Sequence, residues 1–325
     1  MNINIEKISL PLAAPFAITG HVFEVSDTLR VTLSKDGASG VGESIGAYYF
    51  DETVESMAAQ LEEVMPQLQG DLSIEAIQDI LPPCGARNAL DCAFWDYRAK
   101  AAGKRIWELL NITPKQLTTV YTLGIASPQE MGERAAEASK FSNLKIKLDA
   151  HNPIEKLEAI RAARPDANLI VDVNQGWTFA ELKEYLPHTE RLNIVMIEQP
   201  LARGGDEELE GFKSPVPLGA DESCCHMGEF ELARDRYDVI NIKLDKSGGL
   251  TEGLALVEAA NKANMGLMVG NMTGSSLSMA PSYVIGQFCQ FVDIDGPLLL
   301  KKDVAHGLEY FEGGVVGLPT SQLWG

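Results

Sequence analysis

Eight short β-rich runs, spaced roughly 25 residues apart, dominate the chain beyond Thr118. They are Thr119–Leu123, Leu144–Leu148, Leu169–Val173, Val195–Glu198, Val216–Ala220, Val239–Leu244, Gly266–Val269 and Phe291–Ile294. Each of the first seven is followed by a stretch long enough for a helix, most clearly at Gln129–Lys140, Pro153–Ala163, Ala180–Leu186 and Thr251–Ala263. Eightfold alternation of this kind predicts a (β/α)₈-type barrel, an α/β fold. A doubly wound open sheet shares the alternation, but it rarely needs eight units and carries a glycine-rich phosphate turn after its first strand. No such turn follows Thr119–Leu123.

The 325 residues leave room for a barrel of roughly 200 residues or more plus a smaller domain. The first hundred or so residues read as α+β. Ile3–Leu12 and Thr28–Ser34 alternate like strands, and Gly40–Glu43 is a short strand opening into a loop. Helical patterns cover Thr53–Leu68 and Ile74–Leu81, and a third begins near Ala86. In that third helix Leu90, Ala93, Phe94 and Tyr97 recur at helical spacing, with Gly103 as its stop. No glycine–serine linker separates the two parts, so they are expected to pack tightly.

Charge and cysteine usage exclude several classes of partner. The formal net charge of −19 repels phosphate backbones, so nucleic acid is not expected. No uncharged apolar run approaches the ~18 residues of a membrane helix. The start of the chain lacks a secretory pattern, and the five cysteines include no CxxC pair. A reducing cytoplasm is the expected home. The sequence leaves open whether the chain forms a homo-oligomer.

Barrel geometry gives the charged residues at the strand ends a common destination. Reactive groups gather at the C-terminal mouth, while alternate side chains face the helices. In Leu144-Lys-Ile-Lys-Leu148 the pleat turns Lys145 and Lys147 inward together. Asp172 and Asn174 face inward from the third run, Glu198 ends the fourth, and Asp221 ends the fifth. Asn241 and Lys243 share a face on the sixth, as do Asp293 and Asp295 on the eighth. Asp172, Glu198 and Asp221 lie on neighbouring strands, and three crowded carboxylates ionise together only around a cation. An all-oxygen set with few protein ligands suits magnesium (Mg2+). Lys147 and Lys243 lie four strands apart, hence opposite one another. The metal would hold a substrate carboxylate and stabilise the enediolate formed when the α-proton leaves. A lysine acts as base only when neutral, and burial, a nearby cation and a like-charged neighbour each favour that form. One lysine on each face would invert the stereocentre.

Taken singly, these residues have plain structural readings. A Lys-x-Lys strand is commonly an exposed face, Asp221-Glu-Ser a helix cap, Glu198 a strand end, and Asp293 with Asp295 a polar loop. His226 and His306 read as surface residues, Cys224 and Cys225 as structural, and Gly248-Gly249 as the turn into a helix. Six charged residues at the ends of five consecutive strands favour the catalytic reading.

Lys145-Ile-Lys147, Asp172-Val-Asn-Gln-Gly-Trp177, Glu198-Gln-Pro200, Ala220-Asp-Glu-Ser223 and Asn241-Ile-Lys-Leu-Asp-Lys-Ser-Gly-Gly249 resemble the muconate-lactonising subgroup of the enolase superfamily. Within it, Asp293-Ile-Asp295 before Gly-Pro-Leu-Leu-Leu looks like the Asp-x-Asp feature of dipeptide epimerases. The resemblance spans nearly the whole chain, including the Ala86–Trp95 helix. It implies a modified (β/α)₇β barrel over residues 117–305, an α+β capping domain over 1–116, and a segment 306–325 returning to the cap. By position it implies Lys147 and Lys243 as the acid/base pair, Lys145 as auxiliary lysine, and Asp172, Glu198 and Asp221 as Mg2+ ligands. The substrate implied is a dipeptide, touched by Asp293, Asp295, His21, Thr122, Phe16, Glu24 and Tyr48, with the aspartates holding its ammonium. The run Pro15–Glu24, by that resemblance the first capping loop, lacks the arginine that epimerases acting on alanyl-glutamate can carry there, and His21 falls about at its place. With Tyr48, Tyr49, Phe50, Phe23 and Glu24 nearby, an apolar or cationic second residue is expected. An o-succinylbenzoate synthase, N-acyl amino acid racemase or cycloisomerase of the same subgroup remains an alternative, as does a non-catalytic ligand-binding barrel.

Overall fold

The computed structural model of the chain describes residues 1–68 and 72–325. Two strands, β1 (Asn2–Ile18) and β2 (His21–Lys35), form a long antiparallel hairpin, and β3 (Ala38–Ile45) pairs with β2. The run Pro15–Glu24, expected as a loop, is therefore the tip of this hairpin. Phe16 pairs with Phe23 and Ile18 with His21 around the turn at Gly20, beyond a register slip between Pro11 and Phe16. Aromatic and β-branched residues there favour extended chain.

Three helices back the hairpin: α1 (Val54–Val64), α2 (Ile74–Ile80) and α3 (Gly85–Ala101). Thr53 caps α1 by accepting from Ser56 N–H, and Ser73 caps α2 by accepting from Ala76 N–H. Leu29, Val31 and Leu33 of β2 pack against Met57 and Leu61 of α1 and Ala86, Ala89, Leu90 and Ala93 of α3, forming a core of their own. Helix α3 lies so close to β3 that a Cβ on Gly42 would stand 2.2 Å from the Ala89 carbonyl oxygen. Glycine is what permits that approach. A short α4 (Ile106–Leu110) leads out of this region.

After β4 (Leu117–Thr118), eight parallel strands follow in ring order: β5 (Tyr121–Leu123), β6 (Asn143–Lys147), β7 (Asn168–Asp172), β8 (Ile194–Glu198), β9 (Leu218–Ala220), β10 (Val239–Ile242), β11 (Gly266–Val269) and β12 (Phe291–Val292). Val120 N–H donates to the Val292 carbonyl at 2.9 Å, bringing the first and last strands together. Outer helices are α5 (Pro128–Glu137), α6 (Pro153–Ala163), α7 (Phe179–Arg191), α8 (Phe230–Arg236), α10 (Leu250–Ala263) and α11 (Ser276–Gly286). Short turns α9 (Leu244–Ser247) and α12 (Gly296–Leu299) follow β10 and β12, and β13 (Val315–Val316) pairs with β4. The helix expected after the fourth barrel strand is not formed: residues 199–217 hold only a 3₁₀ turn, Glu207–Leu209. Pro200, Gly204, Gly205, Gly211, Pro215 and Pro217 break that segment.

Inside the ring, Val120, Ile170, Met196, Val239 and Met268 form an apolar floor. Above it the inward positions become polar, which is where the charged residues converge. No helix among the described residues is long and apolar enough to cross a membrane.

Candidate active site

The pleat of β6 buries Leu144, Ile146 and Leu148 in the layer between sheet and helices, leaving Lys145 and Lys147 to point inward. Strand pairing then fixes the neighbours. Lys147 is in register with Asp172, Asp172 with Glu198, and Glu198 with Gly219, two residues before Asp221. Lys243 immediately follows β10 as the residue capping α9.

Ammonium and carboxylate groups alternate across the mouth. Lys145 Nζ lies 3.0 Å from Asp172 Oδ2, 2.8 Å from Glu198 Oε2 and 2.9 Å from Asp293 Oδ2. Lys147 donates to Asp172 Oδ2 at 2.6 Å and to Asn174 Oδ1 at 2.9 Å. Lys243 donates to Asp221 Oδ2 at 2.6 Å. Asn241 Nδ2 donates to Glu198 Oε1 at 2.7 Å. All are buried. Strands β6 and β10 stand on opposite sides of the ring, yet Lys147 and Lys243 line one cavity of about 370 Å³.

These contacts set the charge state. Burial works against a charged Lys145, but Asp172, Asp293 and Glu198 outweigh it and hold the ammonium well above the ordinary lysine range. Lys243 behaves alike: burial disfavours its charge, and Asp221 overrides that penalty. Its nearest partner is the Asp221 carboxylate, one of the three expected cation ligands. Burial and Asp172 push Glu198 up, whereas three lysines overcome burial to hold Asp172 below the usual range.

The cavity roof comes from the hairpin tip and the residues after β3. His21, Phe23 and Tyr48 form a triangle of rings with centroids 4.6, 5.2 and 5.6 Å apart, and Phe16 and Tyr49 complete the cover. Thr122, expected beside them, lines a second cavity of about 470 Å³, with Phe16 bordering both. Glu24 lines neither and is exposed: strand alternation puts Phe23 and Val25 on the face that borders the first cavity and Glu24 on the opposite face. Asp293 and Asp295 are buried at the end of β12. Asn271 Nδ2 donates to Asp293 Oδ1 at 2.9 Å, and Thr122 N–H donates to Asp295 Oδ2 at 2.6 Å. Burial first, then Asp293, pushes the Asp295 carboxyl up to about 8.

A hairpin-and-helix cap over a parallel eight-stranded ring with carboxylates on three successive strands finds close parallels. The mandelate racemase / muconate lactonizing enzyme N-terminal domain matches residues 2–111, and the enolase C-terminal domain-like family matches residues 129–322. The chain belongs to the enolase superfamily. Among its relatives in that superfamily, an N-acetyl-D-glutamate racemase from a Pseudoalteromonas species is 38% identical over 288 residues, covering 88% of this chain and 91% of the relative. The L-Ala-D/L-Glu epimerase of Escherichia coli K12 is 38% identical over 306 residues, 93% and 95% of the two chains. A crystal structure of an enolase family member from Agrobacterium tumefaciens, with homology to dipeptide epimerases and containing sodium and L-Ala-L-Glu, superposes with a TM-score of 0.96. It is 37% identical, and the match covers 99% of each chain. Relatives of this kind place the chain among the isomerases.

Two residues of this superfamily member escaped the strand-based reading. Glu222 lines the cavity, with burial and Asp221 pushing it up to about 7. Inward–outward alternation assigns it away from the site, but β9 ends at Ala220, and alternation lapses with the strand. Lys246, fully buried, donates to both the Oδ1 and the backbone carbonyl of Asp221. Its signal was the i,i+3 spacing from Lys243 on a helical turn.

Proposed function

We propose that the chain epimerises a dipeptide at the α-carbon of its C-terminal residue, moving protons between Lys147 and Lys243. The opposed pair of lysines within one cavity is the observation that carries this reading. Asp172, Glu198 and Asp221 would hold a divalent cation, and their all-oxygen donor set fits magnesium. Glu222 Oε2, next in sequence to Asp221, is buried without a hydrogen-bond donor, leaving a hard oxygen acceptor free beside that set. Among the described residues no three His, Cys, Asp or Glu side chains are gathered into a group that could hold a metal ion as they stand; each of the three carboxylates faces an ammonium group instead. When bound, the ion would supply positive charge for the substrate carboxylate as its α-carbon loses a proton.

Everything else falls to the chain. One lysine removes the α-proton from its face, and the other delivers a proton to the opposite face, which reverses configuration. Lys145, touching Asp172, Glu198 and Asp293, keeps the carboxylate cluster partly neutralised. The aromatic roof excludes water and covers the second side chain. Among the described residues no arginine lines that cavity, and five rings face it, so an apolar or cationic second residue is the preferred substrate. His21 favours glutamate as the competing choice. The first residue's side chain would occupy the cavity at Thr122.

A second reading, racemisation of an N-acylated amino acid, draws on one observation. Asp293 already receives Lys145 and Asn271, and Asp295 is held toward its neutral form, so neither stands as a free anion awaiting an ammonium. Proton exchange in deuterium oxide, followed by NMR with a dipeptide library and the matching N-acetyl amino acids, decides between them. Exchange confined to the N-acetyl compounds, indifferent to Asp295→Ala, would establish the second reading. Lys147→Ala and Lys243→Ala should abolish epimerisation while each still exchanges one stereoisomer. Full epimerisation by either variant rules out the two-base mechanism.

A further inference from the structure

The turn α9 is fastened on two sides. On its barrel side, Lys243 and Lys246 both donate to Asp221. Between them in sequence, Asp245 faces the other way, toward the cap. Its Oδ1 accepts from Ser44 Oγ at 2.8 Å, Ile45 N–H at 2.9 Å and Asn88 Nδ2 at 3.0 Å. All three donors belong to the cap: two end β3 and one lies on α3. The carboxyl is buried, and burial, the largest influence on it, raises it from the ordinary aspartate range.

The partners of Asp245 lead straight to the cavity roof. Ile45 is followed by Gly46, Ala47 and then Tyr48 and Tyr49, which cover Lys243. Glu52 pins the same stretch by accepting from Ala47 N–H at 3.1 Å and Gly85 N–H at 2.9 Å. The backbone of α9 is continuous with Lys243, whose carbonyl accepts from Ser247 N–H at 3.0 Å. A single carboxylate thus ties the roof to the backbone that carries one of the two opposed amines. Lys147, on β6, is reached from the cap by a separate route that bypasses Asp245: Thr19 Oγ1 of the hairpin turn donates to the carbonyl of the next residue, Leu148, at 3.0 Å.

We propose that Asp245 is a positioning residue for Lys243, setting that amine's place over the substrate from the cap, and that it leaves Lys147 unaffected. The inference rests on the two-lysine reading. It predicts an asymmetric defect, because a shift of about 1 Å in one reacting group can cost on the order of a hundredfold in rate while the opposite group stays in place.

The test is proton exchange at saturating dipeptide in deuterium oxide, measured separately for the two stereoisomers. Lys243→Ala identifies which isomer depends on Lys243. Asp245→Ala should slow exchange of that isomer by about tenfold or more and change the other's saturated rate by less than about threefold. Asp245→Asn keeps an oxygen acceptor and should show the same asymmetry at smaller amplitude, which covers the case in which the alanine variant does not fold. Equal losses for both isomers, or none for either, overturn the proposal while leaving the two-lysine reading intact. Absence of exchange by the unmodified protein with every dipeptide overturns both.

Discussion

Asp295 shows how an individual carboxyl answers to its surroundings. Its ordinary value of 3.8 moves up to about 8 because burial and Asp293 both disfavour the anion. The folded chain therefore holds a proton there that the unfolded chain has released, across the window between those values. Stability tied to this group is present below about pH 4 and is lost as pH rises through about 8. Asp295→Asn removes that dependence, so its melting temperature relative to the unmodified protein should climb steadily from pH 5 to pH 8. A constant difference across that range would refute the assignment. The charged residues at the strand ends were legible from sequence because a pleat has period two and a barrel has one mouth. Glu222 and Lys246 were not, since they lie just past the strands, where the period ends. Glu24 failed for the opposite reason: a stretch taken as loop turned out to be strand, and the pleat sent it outward.

Among the elements, the barrel strands and α3 were readable, and the cap's hairpin was readable only in part. Strands buried on both faces, such as β7 with Leu169, Ile170 and Val171, announce themselves as apolar runs. The hairpin tip carries polar and aromatic residues over a cavity, so neither alternation nor apolar content marks it. The missing helix after β8 has a local cause in its prolines and glycines, outweighed in the sequence reading by the regular spacing of its neighbours. The close approach of β3 to α3 gives a sharp prediction at this scale. Gly42→Ala would drive a methyl group into the Ala89 carbonyl, 2.2 Å away, and into Ala93 N at 2.6 Å. Neither contact involves a side chain that could yield. Overpacking against rigid backbone should cost about 3 kcal/mol or more, read as a lower denaturant midpoint with an unchanged slope.

Across the whole molecule, buried polar groups join cap to barrel. Arg87 of α3 donates to the Ser247 and Gly248 carbonyls, and Asp91 accepts from Thr251 N–H and Oγ1. A side chain at Gly248 or Gly249 would collide with those two residues. The stretch after β13 adds a third tie: Trp324 Nε1 donates to the Cys92 carbonyl at 3.1 Å, and Gly325 N–H donates to Asp96 Oδ1 at 2.7 Å. Trp324 is 1% exposed, so Trp324→Ala should destabilise by about 3–5 kcal/mol. If the cap and barrel are thermodynamically joined, calorimetry will still show one transition at a lower temperature. Two separated transitions would mean that this segment alone couples them.

The division of the cavity between hairpin tip and strand ends has a consequence for how such a protein changes over time. The aromatic cover of the cavity is drawn from two brief stretches near the beginning of the chain, whereas the buried lysines and carboxylates are embedded in the ring. If those stretches select the guest, point changes there would alter which molecules are admitted while leaving the lysines and carboxylates of the ring in place, so new preferences could be explored one residue at a time on unaltered chemistry.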